Sequence, residues 1–279
     1  MRTTALKVLA AAAVMLTLVG AAQAQALSKV ERMEQQRFAK NNSLFVLYHE
    51  VAHLIFDQLD LPILGREEDA ADNMASWMLL NQQTPQAEAA LTDAARGWQL
   101  SGRAYNSGGY ESDFYAAHSL DRQRSFQIVC LMVGSDVGVF RPIANEYHLD
   151  RDRQDSCYFD WETVNRSFSA LLGVGRKAKH VGTEVTVSYH NVSGRLKAAA
   201  DAFRSSRVFE RVAEDLRTRF SLPKPVAFNA KHCGEANAFY DRDNVEVIFC
   251  YELMQDYMDL WLTDHQAAVA ESSSGKKRK

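Results

Sequence analysis

The chain has 279 residues, 47% of them hydrophobic and 24% charged, which suits one large globular domain or two small ones. A formal net charge of −3 argues against the basic field that nucleic-acid binding requires. The one basic run, Lys276 to Lys279, follows ESSSG and predicts a disordered basic tail over 271–279 rather than a binding surface.

At the N-terminus, Arg2 and Lys7 precede an apolar run over residues 8–20 and then AAQAQA. The run is short for a bilayer span, and Ala22-Gln23-Ala24 has the small-x-small form of a signal-peptidase site. Residues 1–24 are therefore expected to be a signal peptide, with the mature chain starting at Gln25, or at Leu27 if Ala24-Gln25-Ala26 is used. An uncleaved anchor is the alternative. The expectation is a soluble periplasmic or secreted protein with no membrane contact after cleavage.

A polar helical segment, LSKVERMEQQRFAKNN, leads into the stretch LFVLYHEVAHLIFDQLDLPILGREEDAADNMASWMLL. Residues 86–100 and 113–133 have helical spacing, and 160–172 read as a further short helix. GVGRKAK, Gly173 to Lys179, is a connector, and it places a possible internal boundary near 173–182 within a domain spanning 25–270. Beyond it TEVTVSYHNV alternates like a strand, and Arg195 to Phe220 is helical until Pro223 and Pro225. VAFNA and a hairpin in CGEANAFYDRDNVEVIFC follow, and Tyr251 to Trp261 returns to helix. The sum is an α+β protein, helix-rich, with a small and mostly antiparallel sheet.

In an oxidising compartment the four cysteines can pair, and four allow three connectivities. If Tyr240 faces Val245 across the hairpin, Cys233 and Cys250 become diagonal neighbours that a single bulge brings face to face. That leaves Cys130 with Cys157. A four-cysteine zinc site would need C-x-x-C spacing, which the sequence lacks.

His49-Glu50-Val51-Ala52-His53 is H-E-x-x-H. Four residues apart on a helix, the two imidazoles share a face and can reach one ion, while Glu50 is rotated about 100° to the side, where it can hold a water. Leu44 to Leu47, Val51, Ala52 and Leu54 to Phe56 make the helix apolar nearly all round, so it should be buried. Unpartnered imidazoles and a carboxylate there would cost several kcal/mol, on the order of 2–7 per group, and a metal ion removes that cost. Glu68 lies fifteen residues past His53, after a Pro62–Gly65 turn, and is the candidate third ligand, with Glu67 next. Asp72, four residues on, can accept a hydrogen bond from the far nitrogen of a ligating histidine. The bland alternative for Glu67 and Asp69 is acidic compensation of the helix N-terminus.

HEVAH followed by EDAAD resembles the gluzincin branch of the zincin metallopeptidases. LYHEVAHLIFDQLDLPILGREEDAAD, HSLDRQRSFQIVCLMVGSD and CGEANAFYDRDNVEVIFCYEL together resemble a family of bacterial metallopeptidases known as a domain of unknown function. The resemblance implies a zincin-like fold, one Zn2+ held by His49, His53 and Glu68, and hydrolysis of protein or peptide substrates with Glu50 as general base. It leaves the oxyanion group open, with His118, Tyr115 and Tyr240 as candidates. NAFYDRDNVEVIFCYEL also resembles the hairpin that precedes the active-site helix in thermolysin-like enzymes, so Ala236 to Tyr251 is expected to pack beside His49 and supply an edge strand. A non-catalytic zinc-binding or interaction protein on the same scaffold is the rival reading, and a metal-free domain with buried histidines a third.

Overall fold

Ser28 and Glu31 open the first helix with reciprocal caps: the Glu31 N–H donates to Ser28 Oγ and the Ser28 N–H to Glu31 Oε2. From there α1 runs without a break over Lys29–Gln58, polar at first and buried from Phe38 onward. The computed structural model describes residues 26–173 and 182–276, so the expected signal peptide and most of the 173–182 connector lie outside the described residues. Among the described residues no helix is long and apolar enough to cross a membrane.

Gly65, at φ 96°, makes the turn that returns the chain as α2 (Glu67–Leu80). Ala71 and Ala75 are fully buried, and α2 packs directly on α1. Thr84 caps α3 (Pro85–Ala104), with Pro85 in the first turn. The helix expected over 113–133 begins only at Asp121, as α4 (Asp121–Ser135). Before it, Asp113 accepts from the N–H groups of Gly108 and Tyr110 and holds 105–120 as a series of turns. Asp136 caps α5 (Val137–Glu146), which the periodicity did not indicate, and Asp150 starts α6 (Arg151–Leu171) about nine residues before the expected position. Cys130 of α4 and Cys157 of α6 are joined, and Gly134 lets the two helices touch, since a Cβ there would meet the Cys157 carbonyl oxygen at 2.1 Å.

The second half supplies β1 (Val185–Tyr189), α7 (Lys197–Ser206), α8 (Val208–Arg219), β2 (Val226–Lys231), β3 (Ala238–Asp241), β4 (Glu246–Cys250) and α9 (Tyr251–Lys276). The expected single helix over 195–220 is broken at Arg207, whose left-handed φ of 58° ends α7. Instead of a tail from 271, α9 continues to Lys276. The sheet is mixed, in the order β1-β2-β4-β3, rather than mostly antiparallel. β1 pairs parallel to β2 because α7 and α8 carry the chain back between them, and β4 inserts parallel to β2. Only β3 and β4 are antiparallel.

That hairpin has a different register from the one expected. Tyr240 faces Val247, not Val245, because Arg242 to Val245 form a longer turn capped by Asp241. Asn237 thus stands opposite Cys250, and Cys233 reaches Cys250 from the loop before β3. Both disulfides nonetheless join the expected partners, and each closed loop restricts the unfolded chain by roughly 3 kcal/mol.

One buried core draws on residues from both sides of the connector. Phe249 is its aromatic centre, fully buried and stacked on Phe203 at 4.0 Å between ring centroids, with Phe209 edge-on. Phe249→Ala is expected to cost about 3–5 kcal/mol, read as a fall in the urea midpoint with little change in slope.

Candidate metal centre and its cleft

Two turns of α1 and the first turn of α2 build the site. His49 Nε2 lies 3.1 Å from His53 Nε2, and Glu68 Oε2 lies 3.1 Å from the first and 3.3 Å from the second. Ligand atoms about 2.0–2.1 Å from a tetrahedral ion stand about 3.3 Å from one another, so the three donors have the spacing of a shared cation. The other nitrogen of each ring is already occupied. His49 Nδ1 donates to Asp72 Oδ1 at 2.8 Å, and His53 Nδ1 to Glu67 Oε1 at 2.8 Å. A carboxylate on Nδ1 fixes the tautomer that leaves Nε2 with a lone pair, which is the form a metal takes. The donor set therefore fits a divalent ion.

Burial opposes protonation of His49, but the hydrogen bond and charge of Asp72, helped by Glu68, hold its pKa up at about 9. Burial likewise opposes charge on His53, and Glu68 and Glu67 raise its pKa. Desolvation of Glu68 is outweighed by hydrogen bonds from His118, His49 and His53, and its carboxyl is held far below the usual range. Asp72 is buried as well, yet Arg124 keeps it ionised: Nε donates to Oδ2 at 2.6 Å and the guanidinium's second nitrogen to Oδ1 at 2.8 Å. Arg124 in turn lies over the Trp98 ring, 3.6 Å from its centroid.

Glu50 is 7% exposed and faces a cleft of about 700 Å3. Desolvation raises its pKa against the pull of both imidazoles, and it takes a hydrogen bond from the Tyr240 backbone. The same cleft is lined by Ala236 to Tyr240, so the C-terminal hairpin does pack beside α1, with β3 forming the outer edge of the sheet.

The three oxyanion candidates part company. His118 comes to the site, its Nε2 2.8 Å from Glu68 Oε2 and its ring stacked on His49. His49, Glu68 and His118 also form a group whose donor atoms could hold a metal ion. Tyr115 is 77% exposed and is absent from the cleft lining. Tyr240 lines the cleft, but its hydroxyl donates to Asp57 at 2.7 Å, and burial with that bond raises its pKa. Sequence reasoning missed Arg124, whose signal is a cation on the apolar face of α4. It also cast Glu67 as a reserve ligand, whereas the side chain holds His53 from behind and pairs with Arg242 at 2.7 Å.

Two histidines, three carboxylates and a clamping arginine thus stand beneath an open cleft in an α+β protein, and donor atoms among them could hold a metal ion. The chain belongs to the family described as "Putative metallopeptidase" (DUF4344), whose model matches residues 14–172 and 189–277. No curated protein and no solved structure matches it.

Two outcomes follow from these contacts. Arg124→Met frees Asp72 to turn from His49, and metal affinity measured by chelator competition is expected to fall about 10- to 100-fold, with Arg124→Lys in between. Because the pKa of His49 is raised, the metal-free protein carries a proton there at pH 7.5 that the ion must expel. Zinc titrations in buffers of different ionisation enthalpy should report proton release, and affinity should rise with pH up to about 9.

Proposed function

We propose that the protein is an exported zinc-dependent peptidase in which His49, His53 and Glu68 hold one Zn2+ and Glu50 is the general base. The observation that carries this reading is the convergence of three donor atoms, 3.1–3.3 Å apart, on the floor of a cleft with Glu50 beside them. Two imidazoles and a carboxylate are the set zinc takes in hydrolytic sites, with a position left for water. When bound, the ion lowers the pKa of a water and polarises a carbonyl. Glu50 takes the proton of the attacking water and delivers it to the leaving amine, and its raised pKa suits it to both acts. β3 presents the free edge of the sheet along the cleft, where an extended peptide can add as a further strand. His118, half exposed beside Glu68, supplies the donor for the developing oxyanion. Two disulfides and the absence of a membrane-spanning helix among the described residues agree with an exported, soluble chain.

A second reading draws on the same histidine. If His118 were a permanent fourth donor, the site would be closed, as in non-catalytic zinc proteins. Metal analysis and turnover separate the two. The purified protein is expected to carry one zinc per chain and to degrade an unstructured protein substrate. Glu50→Gln should retain the zinc and lose turnover by about 100- to 10,000-fold. Equal turnover by the two proteins would reject the enzyme reading, and zinc without any turnover would favour the closed site.

A further inference from the structure

Past the metal-binding residues the cleft continues between α3 and α9. Its wall there is apolar, formed by Trp98 of α3 and by Leu253, Tyr257 and Leu260 of α9. One charged group interrupts it. Asp256 shares the helix face of Leu253 and Leu260, and its carboxylate accepts a hydrogen bond from the Tyr105 hydroxyl.

The other charges of the cleft are matched. Glu67 pairs with Arg242 and His53, Arg124 with Asp72, and Glu68 with three imidazoles, while Glu50 feels the pull of His49 and His53. Asp256 pairs with no cation among the described residues. Burial and the like charge of Asp259 both oppose its ionisation, and the hydrogen bond from Tyr105 favours it. A partly desolvated carboxylate in an apolar wall, lacking a counter-ion, is stabilised by any cation delivered to it, and the surrounding hydrocarbon suits the stem that would carry one.

We propose that Asp256 is the specificity-determining residue of this cleft and receives a lysine or arginine side chain of the peptide substrate. The stem lies along Tyr257 and Leu260, and the charged head meets the Asp256 carboxylate and the Tyr105 hydroxyl. Acidic side chains are excluded from the same place by repulsion from Asp256. The inference rests on the peptidase reading and names its substrate class.

The test separates the two. Zinc-loaded Glu50→Gln protein is titrated, by fluorescence anisotropy, with labelled peptides that differ only in lysine or norleucine, the substitution being moved one position at a time. At one position lysine should bind about tenfold tighter, and added salt should shrink the difference. Asp256→Asn in the same background should bring the ratio close to one, and Asp256→Lys should make glutamate the preferred residue. Equal affinities at every position, failure to bind either peptide, or a ratio that Asp256→Asn leaves intact would overturn the proposal. Because the lysine–norleucine comparison needs no change at Asp256, it decides even if those variants do not fold. Turnover of the same peptides by wild-type protein, with products identified by mass spectrometry, tests the peptidase reading on its own. Selective binding without turnover removes that reading and keeps the cation subsite, while turnover without a lysine preference does the reverse.

Discussion

Three ionisable side chains on one buried turn are the constraint around which this protein is arranged. His49 and Glu50 are almost wholly inside, on a helix whose neighbours are Tyr48, Val51, Ala52 and Leu54, each with no exposure. Such groups are tolerated only when every polar atom has a partner. α2 provides the partners from one short stretch: Asp72 and Glu67 take the Nδ1 protons of the two rings, and Glu68 faces their Nε2 atoms. The consequence is chemical as well as structural. With the outer nitrogens engaged, the inner ones converge with Glu68 on one point, where a cation could be held.

The remaining elements hold that arrangement. α4 brings Arg124 onto Asp72, and α4 is itself tied to α6 by Cys130–Cys157 and by the close approach at Gly134. A buried arginine–aspartate pair contributes little net stability of its own, but removing one member strands the other, so the pair selects a single geometry for the histidine it supports. From the opposite side the sheet delivers β3. Its position depends on β4, which the aromatic cluster of Phe203, Phe209 and Phe249 anchors beneath α7 and α8. Tyr240 then touches α1 twice, through its backbone to Glu50 and through its hydroxyl to Asp57. Core, sheet and site are in this sense one mechanical unit.

Charge in the cleft follows a pattern with the same logic. Most carboxylates near the candidate metal centre meet an arginine or an imidazole, so their negative charge is already committed. Asp256 is different: among the described residues it accepts from a tyrosine hydroxyl and pairs with no cation, and the charge of Asp259 opposes its own. The substrate cation proposed above would complete that carboxylate.

Much of the candidate site's local geometry was legible in the chain because helix periodicity is local. The spacing of His49, Glu50 and His53 fixes their relative directions once the segment is helical. The short return through Gly65 leaves Glu67, Glu68 and Asp72 few places to go other than back against them. Local rules failed where a choice depended on distant partners. Arg124 was hidden because nothing near it in sequence says that Asp72 and Trp98 will enclose it, 52 residues from its aspartate. No spacing distinguished Tyr240, His118 and Tyr115, and only packing sends one hydroxyl to Asp57, brings one imidazole to Glu68 and leaves one ring in solvent. The sheet shows the limit most clearly. Alternation identified its strands, but whether neighbours run parallel depends on the path of α7 and α8 between them, and the hairpin register on how many residues the turn absorbs before pairing begins. The sequence by itself determined most helical segments and the polar groups that one buried helix must accommodate, since these follow from spacing along the chain, but not α5 or the break at Arg207. Tertiary structure alone decided strand order, the arginine clamp and the surroundings of Asp256, because each is a relation between segments that only folding brings within reach.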